Sequence, residues 1–382
     1  MIPYGRQDIS RQDIDAVVEV LGSDWLTQGP AVPRFEQAVL DYCGAAYAVA
    51  ANSATSALHL ACLALGLGPG DRLWTSPNTF VASANCGRYC GAEVDFVDID
   101  PRTCNMSVDA LASKLELAAA QKRLPKIVVP VDFAGQSCDM RAIRALADCY
   151  GFAIVEDASH AIGGSYLGRP VGSCAYADVT IFSFHPVKII TTGEGGMALT
   201  NNGTVAANMR RLRSHGITRE QDEMSGNAHG PWYYEQIDLG YNYRMTDMQA
   251  ALGCSQMHRL DLFVARRLEL AARYDALLAG LPLATPFRHP DGRSSMHLYP
   301  VVLDDAARRP AVFERLRAAG IGVNVHYIPV HTQPYYRDLG FSHGDFPHAE
   351  AYYAGALSLP LYSGLTDAQQ DEVVARLAES LA

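Results

Sequence analysis

The stretch Thr180–Thr200, TIFSFHPVKIITTGEGGMALT, decides the reading of this chain. Val179 to Phe184 has the apolar, aromatic character of a buried strand, and Gly196–Thr200 that of a second short one. Between them lie a polar turn carrying a single lysine, Lys188, and a glycine cluster, Gly193 to Gly196. Lysine is normally a surface residue. Held between an aromatic strand and a Gly-rich turn, its charged form is disfavoured by desolvation, which leaves a neutral, nucleophilic amine near neutral pH. That is the requirement of a Schiff-base lysine. A lone lysine snorkelling at a strand end has the same local sequence, so neighbouring segments must decide.

Working outward, short apolar runs at 46–51, 73–76, 94–97, 127–131 and 153–156 alternate with helix-length segments. That alternation predicts a mostly parallel sheet with helices on both faces, an α/β domain. Such sheets bind ligands at the carboxyl ends of their strands. After the first run, Asn52-Ser-Ala54-Thr55-Ser56 opens an Ala/Leu helix, whose free N–H groups and hydroxyls suit a phosphate or an ordinary N-cap. After the second comes Phe80, placed to cover a flat ring or to fill core. The run at 153–156 ends in Glu156-Asp157 and continues to His160. A buried Asp157 needs a partner, which a pyridinium nitrogen, an arginine or a backbone cap would each provide.

A phosphate-ready helix start, an aromatic cover, a strand-end acid and a lysine preceded by Ser183 together match pyridoxal 5′-phosphate. Its aldehyde needs an amine, its ring nitrogen an acid, and its phosphate hydroxyls and N–H donors. The ordered motifs NSATSALH (52–59), EDASHAIGG (156–164), FSFHPVKIITTGEGG (182–196), RSHGI (213–217), YNYRMTDMQAALG (241–253) and VNVHYIPVH (323–331) span nearly the whole chain. In that order they resemble the DegT/DnrJ/EryC1/StrS family of sugar aminotransferases, within the fold-type I pyridoxal-phosphate enzymes. The resemblance implies a large domain with a mainly parallel seven-stranded sheet, a small C-terminal α+β domain, and a homodimer with shared active sites.

By resemblance, Lys188 carries the Schiff base and shuttles a proton, and Asp157 pairs with the ring nitrogen. Ser183 and the backbone at Ala54-Thr55 hold the phosphate, Asn242 reaches in from the other subunit, and Phe80 stacks on the ring. His160 stands where many members have Gln and contacts the cofactor's phenolic oxygen, with its protonation state left open. The family's 3-dehydratases carry histidine at the position of Lys188, which sets this chain apart from them. With PYGRQ at 3–7 and Ser159-His160-Ala161, the chain is similar to the enzymes of the pseudaminic-acid pathway. Those take L-glutamate's amino group to C4 of UDP-2-acetamido-2,6-dideoxy-β-L-arabino-hex-4-ulose, giving UDP-4-amino-4,6-dideoxy-N-acetyl-β-L-altrosamine. In that branch Tyr4, Asp24, Trp25, Leu26, Thr27, Asn324, Val325, His326 and Tyr327 contact the nucleotide sugar. Other nucleotide-linked 4-keto or 3-keto sugars remain open as substrates, because motifs around a cofactor do not read the sugar. A pyridoxal-phosphate-binding regulator without turnover is the reading from another class.

The rest of the chain sets bounds. At 382 residues it is too long for one ordinary core, so two domains are expected, 1–245 and 246–382. The second begins with one long helix from about 247 to 278 and continues with a strand at 296–303, a helix at 311–319, a strand at 322–327 and a helix at 366–381. Near the start, Ser10 and Asp13 form a capping box for a helix with Ile14, Val17, Val18 and Leu21 on one face, closed by Gly22. The Gly66–Gly70 cluster ends a helix instead of following a strand, which argues against a dinucleotide fingerprint. Net charge is −10 with no basic tract, which argues against a nucleic-acid surface. The nine scattered cysteines lack any CxxC and read as reduced core thiols, not zinc ligands. With no long uncharged apolar run and no leader pattern, the expectation is a cytoplasmic protein without a membrane span or metal.

Overall fold

A computed structural model describes residues 1–382. Seven strands form the central sheet: β1 (Tyr47–Ala51), β2 (Arg72–Thr75), β3 (Glu93–Phe96), β4 (Ile127–Val129), β5 (Ala153–Asp157), β6 (Val179–Ser183) and β7 (Gly196–Thr200). Their spatial order is β1-β7-β6-β5-β4-β2-β3, and the pairs from β3 to β6 are all parallel. Only β7 runs against the rest, pairing antiparallel with β6 and β1. The fold is the expected α/β architecture of fold-type I pyridoxal-phosphate enzymes.

Strand alternation sorts the side chains by face. Val155, Val179 and Ile181 point to the face covered by the helices Ala54–Ala64 and Gly203–Arg213. Phe182 and Leu199 point the other way, against the helices Ala31–Cys43 and Asp247–Met257. The same period puts Asp157 and Ser183 on the first face and Glu156 and Thr180 on the second. This sorting decides which acid enters the site.

The C-terminal part packs a three-stranded sheet, Leu283–Ala284, Tyr299–Leu303 and Ala356–Leu359, against the helices Leu260–Leu277, Arg309–Ala318 and Asp367–Leu381. Ile2 joins this core and bridges to Ile321. Three expectations change. The helix read over 247–278 is two, Asp247–Met257 and Leu260–Leu277, with Arg259 between them in a non-helical conformation. Its guanidinium is held by Asp8 at 2.6 Å and Asp13 at 2.5 Å, so the break docks the N-terminal helix. The strand read over 322–327 is an irregular segment with a single bridge, Asn324 to Ser358. Finally, the capping box at Ser10 forms, but the helix Arg11–Leu21 buries Asp13 and Val20. Ile14, Val18 and Leu21 face outward, Val18 and Leu21 at 57 % and 56 % exposure. The nine cysteines are free thiols, and no helix is long and apolar enough to cross a membrane.

Candidate active site

The carboxyl ends of β5 and β6 open into a cavity of about 580 Å³ that brings Lys188, Asp157, His160 and Ser183 together. A second cavity of about 330 Å³ lies behind Phe133 and Ala134, and its lining holds no lysine, histidine or carboxylate. Of these two, only the first carries a lysine, imidazoles and a carboxylate.

Lys188 stands on the excursion that joins the antiparallel pair β6 and β7. Phe184 closes its base, donating its N–H to the Gly195 carbonyl at 2.9 Å and accepting from Thr192 N–H at 3.0 Å. The side chain keeps some contact with cavity solvent, but the atoms packed around its amine desolvate it. Burial lowers its pKa to about 8, and the nearby Asp157 charge opposes that shift. The amine forms neither a hydrogen bond nor an ion pair within the chain. A usable fraction is neutral at physiological pH.

Asp157 is 5 % exposed. Its Oδ2 accepts from Ser83 Oγ at 2.6 Å, and its Oδ1 accepts from Ser159 N–H at 3.1 Å and Ser159 Oγ at 2.5 Å. No cation lies within ion-pairing distance, so of the three partners open to it, arginine is absent. Two hydroxyls and one amide hold the carboxylate in place while leaving its charge uncompensated, which fits a cationic ring nitrogen. Across the floor, Ser53 caps the helix Ala54–Ala64 by accepting from Ser56 N–H. The Ala54 and Thr55 N–H groups at that helix start have no partner in the chain, nor does the Ser183 hydroxyl on the same cavity wall. A Cβ at Gly196 would overlap the Ala54 nitrogen, so glycine is what lets β7 pass behind this cradle. The donors, the acid and the amine together fit pyridoxal phosphate.

The roof comes from residues 295–327. Ser295 Oγ donates to the His160 carbonyl at 2.8 Å. The His160 and His297 rings lie 4.4 Å apart. His160 Nε2 lies 3.0 Å from the Tyr327 hydroxyl, and its buried Nδ1 has no partner. Burial drives both His160 and His297 far below the usual imidazole range, helped by the Lys188 charge. His326 falls to about 4 for the same reason and bonds Ser358 Oγ through Nδ1 at 2.8 Å. All three imidazoles are neutral at pH 7. Burial also raises the Tyr327 and Tyr4 hydroxyls, so both remain protonated donors.

Tyr4, Ala54, Thr55, Phe80, Asn324, Val325, His326 and Tyr327 all line this cavity with the four floor residues. Phe80 is not core: it is 59 % exposed at the mouth, its ring 6.4 Å from that of Tyr327. Asp24, Trp25, Leu26 and Thr27 do not reach the cavity of their own chain. They form an exposed loop that bridges to Thr246 through Thr27. Asn242 is likewise exposed and outside it, bridged to Ser214. His331 lies elsewhere, its Nε2 2.8 Å from Glu350 Oε1, and His215 serves a turn through its N–H to the Tyr241 carbonyl at 2.9 Å. Sequence reasoning missed Ser83, near the start of the helix Ala82–Tyr89 that follows Phe80. It also missed His297, inside a segment read as a plain strand.

Comparison with known proteins agrees with this chemistry. The DegT/DnrJ/EryC1/StrS aminotransferase family model matches residues 7–378. The spore coat polysaccharide biosynthesis protein SpsC of Bacillus subtilis is 43 % identical over 380 residues, 98 % of this chain and 95 % of that protein. The UDP-4-amino-4,6-dideoxy-N-acetyl-beta-L-altrosamine transaminase of Campylobacter jejuni is 39 % identical over 365 residues, 95 % and 93 % of the two chains. Among solved structures, Helicobacter pylori PseC, an aminotransferase involved in the biosynthesis of pseudoaminic acid, superposes with a TM-score of 0.92 at 29 % identity, covering 100 % of this chain and 99 % of that one. The PLP-form of the putative sugar aminotransferase Spr1654 from Streptococcus pneumoniae gives 0.89 at 30 % identity, covering 100 % and 98 %. The family match spans nearly the whole chain, and the chain belongs to the DegT/DnrJ/EryC1/StrS family of aminotransferases, with pyridoxal phosphate as its cofactor.

Proposed function

We infer that this enzyme moves the amino group of L-glutamate to C4 of a UDP-linked 4-keto sugar, UDP-2-acetamido-2,6-dideoxy-β-L-arabino-hex-4-ulose. The observation that carries the transamination is the pairing of a desolvated lysine with an uncompensated buried carboxylate in one cavity. Similarity to the Campylobacter transaminase and to PseC supports the sugar. The greater identity to SpsC favours a second reading, another nucleotide-linked keto sugar used for polysaccharide assembly.

Pyridoxal phosphate, when bound, supplies an aldehyde for amine exchange and a ring that draws electrons from the carbon beside it. Lys188 then holds and moves a proton at its Nζ, an exchange that a pKa of about 8 permits at neutral pH. Asp157 keeps the ring nitrogen protonated, and Ser83 and Ser159 aim its two oxygens. Ala54 N–H, Thr55 N–H and the Ser183 hydroxyl hold the phosphate. His160, neutral and bonded to Tyr327 through Nε2, would stand beside the cofactor's phenolic oxygen. Tyr4, Asn324, Val325, His326 and Tyr327 shape the sugar end.

The cavity of one chain contains no arginine, whereas glutamate and a nucleotide diphosphate are both anionic. We read the site as completed in a homodimer, with Asn242 and the Asp24–Thr27 loop reaching toward the partner's cavity. The outward Ile14, Val18, Leu21, Trp25 and Leu26 give it an apolar contact face. We assign the large domain to 1–245 and the small one to 246–382, with the helix Asp247–Met257 lying against the large domain's sheet and Ile2 in the small domain's core, and place the enzyme in the cytoplasm where nucleotide sugars are made.

The deciding experiment offers the enzyme, glutamate and a panel of UDP-linked keto sugars, and determines the aminated carbon and its configuration by NMR. Amination of the L-arabino 4-ulose alone at C4 agrees with the first reading. Turnover confined to a different keto sugar transfers the assignment to the second.

A further inference from the structure

Asp132 and Glu156 are carboxylic acids buried together on the face of the sheet opposite the cavity, 0 % and 6 % exposed. The mechanism above uses neither. Glu156 Oε2 accepts from Thr180 Oγ1 at 2.7 Å, and Asp132 Oδ1 accepts from Cys138 N–H at 2.9 Å. Asp132 Oδ2 is buried and meets no N–H or hydroxyl donor. What it does face is the carboxyl group of Glu156. Two carboxylates cannot form a hydrogen bond, and neither has a cation within ion-pairing distance. One proton between them removes both problems at once: it makes a carboxyl–carboxylate hydrogen bond and leaves one charge where two would repel.

The groups packed around the pair do not supply an alternative. Cys138, Cys174 and Cys43 are thiols whose pKa values are raised by burial, and Tyr166 lies across a small gap with its hydroxyl committed to Asp139 Oδ1 at 2.6 Å. Arg169, lining the same gap as Glu156, is an exposed side chain with no ion pair. The remaining neighbour is Asp157 itself, whose charge acts on Asp132. Asp132 N–H also donates to the Asp157 carbonyl at 3.1 Å.

We propose that Asp132 and Glu156 share one proton and act as a positioning pair behind Asp157, adding a single fixed negative charge that strengthens its hold on the ring nitrogen of pyridoxal phosphate. This rests on the reading of Asp157 given above. The effect passes through the end of β5: the Asp132 N–H fixes the Asp157 main chain, and the shared charge favours a protonated ring nitrogen on the opposite face. In accord with this role, burial and then the Glu156 charge raise Asp132 well above the carboxylate range, whereas burial raises Glu156 to about 7 against the opposing hydrogen bonds from Thr180 and Asp132.

Two measurements test it. Infrared spectra of the full chain without cofactor, at neutral pH, should contain the carbonyl stretch of a protonated carboxyl group, and Glu156→Gln with Asp132→Asn should remove it. A wild-type spectrum without that band would overturn the proposal, and this reading needs no variant to fold. Titration of the apoenzyme with pyridoxal phosphate should show the double variant binding about threefold to tenfold more weakly, up to one unit of ring-nitrogen pKa. In an Asp157→Asn background, where the ring nitrogen is no longer held protonated, the same pair of changes should cost clearly less affinity. An equal loss in both backgrounds would reduce the pair to a structural role and sink the proposal. A folded wild-type chain that bound no pyridoxal phosphate at all would instead remove the reading of Asp157, and the proposal with it, whatever the infrared band showed.

Discussion

The floor and the roof of the cavity are built on different principles. The floor consists of strand ends. Asp157 terminates β5, Ser183 terminates β6, and Lys188 sits on the link to β7, so sheet hydrogen bonding sets their spacing. The roof consists of loop residues, His297, Asn324, His326 and Tyr327, tied to the body by individual bonds such as Ser295 to the His160 carbonyl and Tyr352 to the His326 carbonyl at 2.9 Å. On the proposed reading the floor holds a cofactor that does not vary, while the roof meets the substrate that does. Rigid elements suit the first task and exchangeable loops the second.

If that division holds, floor variants lose all amino transfer, and the largest loss is at the lysine. Lys188→Ala should lower turnover by at least about a thousandfold while the protein still binds cofactor. Measuring both half-reactions checks this, and near-normal multiple turnover would break the division at its centre. Asp157→Asn should cost about a hundredfold or more in both half-reactions, since the electron-withdrawing form of the ring is lost. A loss confined to the sugar half-reaction would put Asp157 in the roof's class.

Stability gives a second contrast. A buried amine below its ordinary pKa destabilises the cofactor-free fold, so Lys188→Met should stabilise it by about 2 kcal/mol once screening by cavity solvent is allowed for. The folded chain binds that proton less tightly than the unfolded one. The cost is therefore full below about pH 8 and fades as pH rises toward 10.5. Denaturant melts across that window should show the variant's advantage shrinking, whereas an advantage that grew with pH would contradict the sign. In the roof, Tyr327→Phe removes one hydrogen bond to His160 and should lower kcat/KM for the keto sugar about tenfold, with a smaller effect on glutamate. Because His326 is held near 4, no ionisation of that imidazole should shape the activity profile between pH 6 and 8. A His326→Gln variant that shifted the profile there would show a charged histidine.

The same division explains what could be read from the sequence. Strand-end motifs are contiguous, and a period of two assigns their faces, so the convergence of Lys188, Asp157, Ser183, Ala54 and Thr55 on one cavity was legible, as was the sheet's parallel character. His297 was not, because its neighbour His160 is distant in sequence and the surrounding Met296–Leu303 pattern suggests only a strand. Ser83 was hidden in the same way, since its acceptor Asp157 lies on another element. Arg259 interrupts a continuous helical pattern through ion pairs to Asp8 and Asp13, which helical periodicity does not register. The outward stripe at Ile14, Val18 and Leu21 shows the converse. Its amphipathic pattern is plain, but a pattern does not say whether the covering surface belongs to the same chain. Sedimentation of the wild type against Val18→Asp with Leu21→Asp, with a dimer expected to dissociate in the variant, would answer that.

The most direct test of the central claim is the visible and near-ultraviolet absorbance of the purified protein with pyridoxal phosphate, recorded before and after L-glutamate. A yellow lysine-linked band that gives way to the band of the aminated cofactor would establish cofactor, lysine and donor in one experiment. A protein that stayed colourless with added pyridoxal phosphate, or a yellow one indifferent to glutamate, would contradict the account of this cavity.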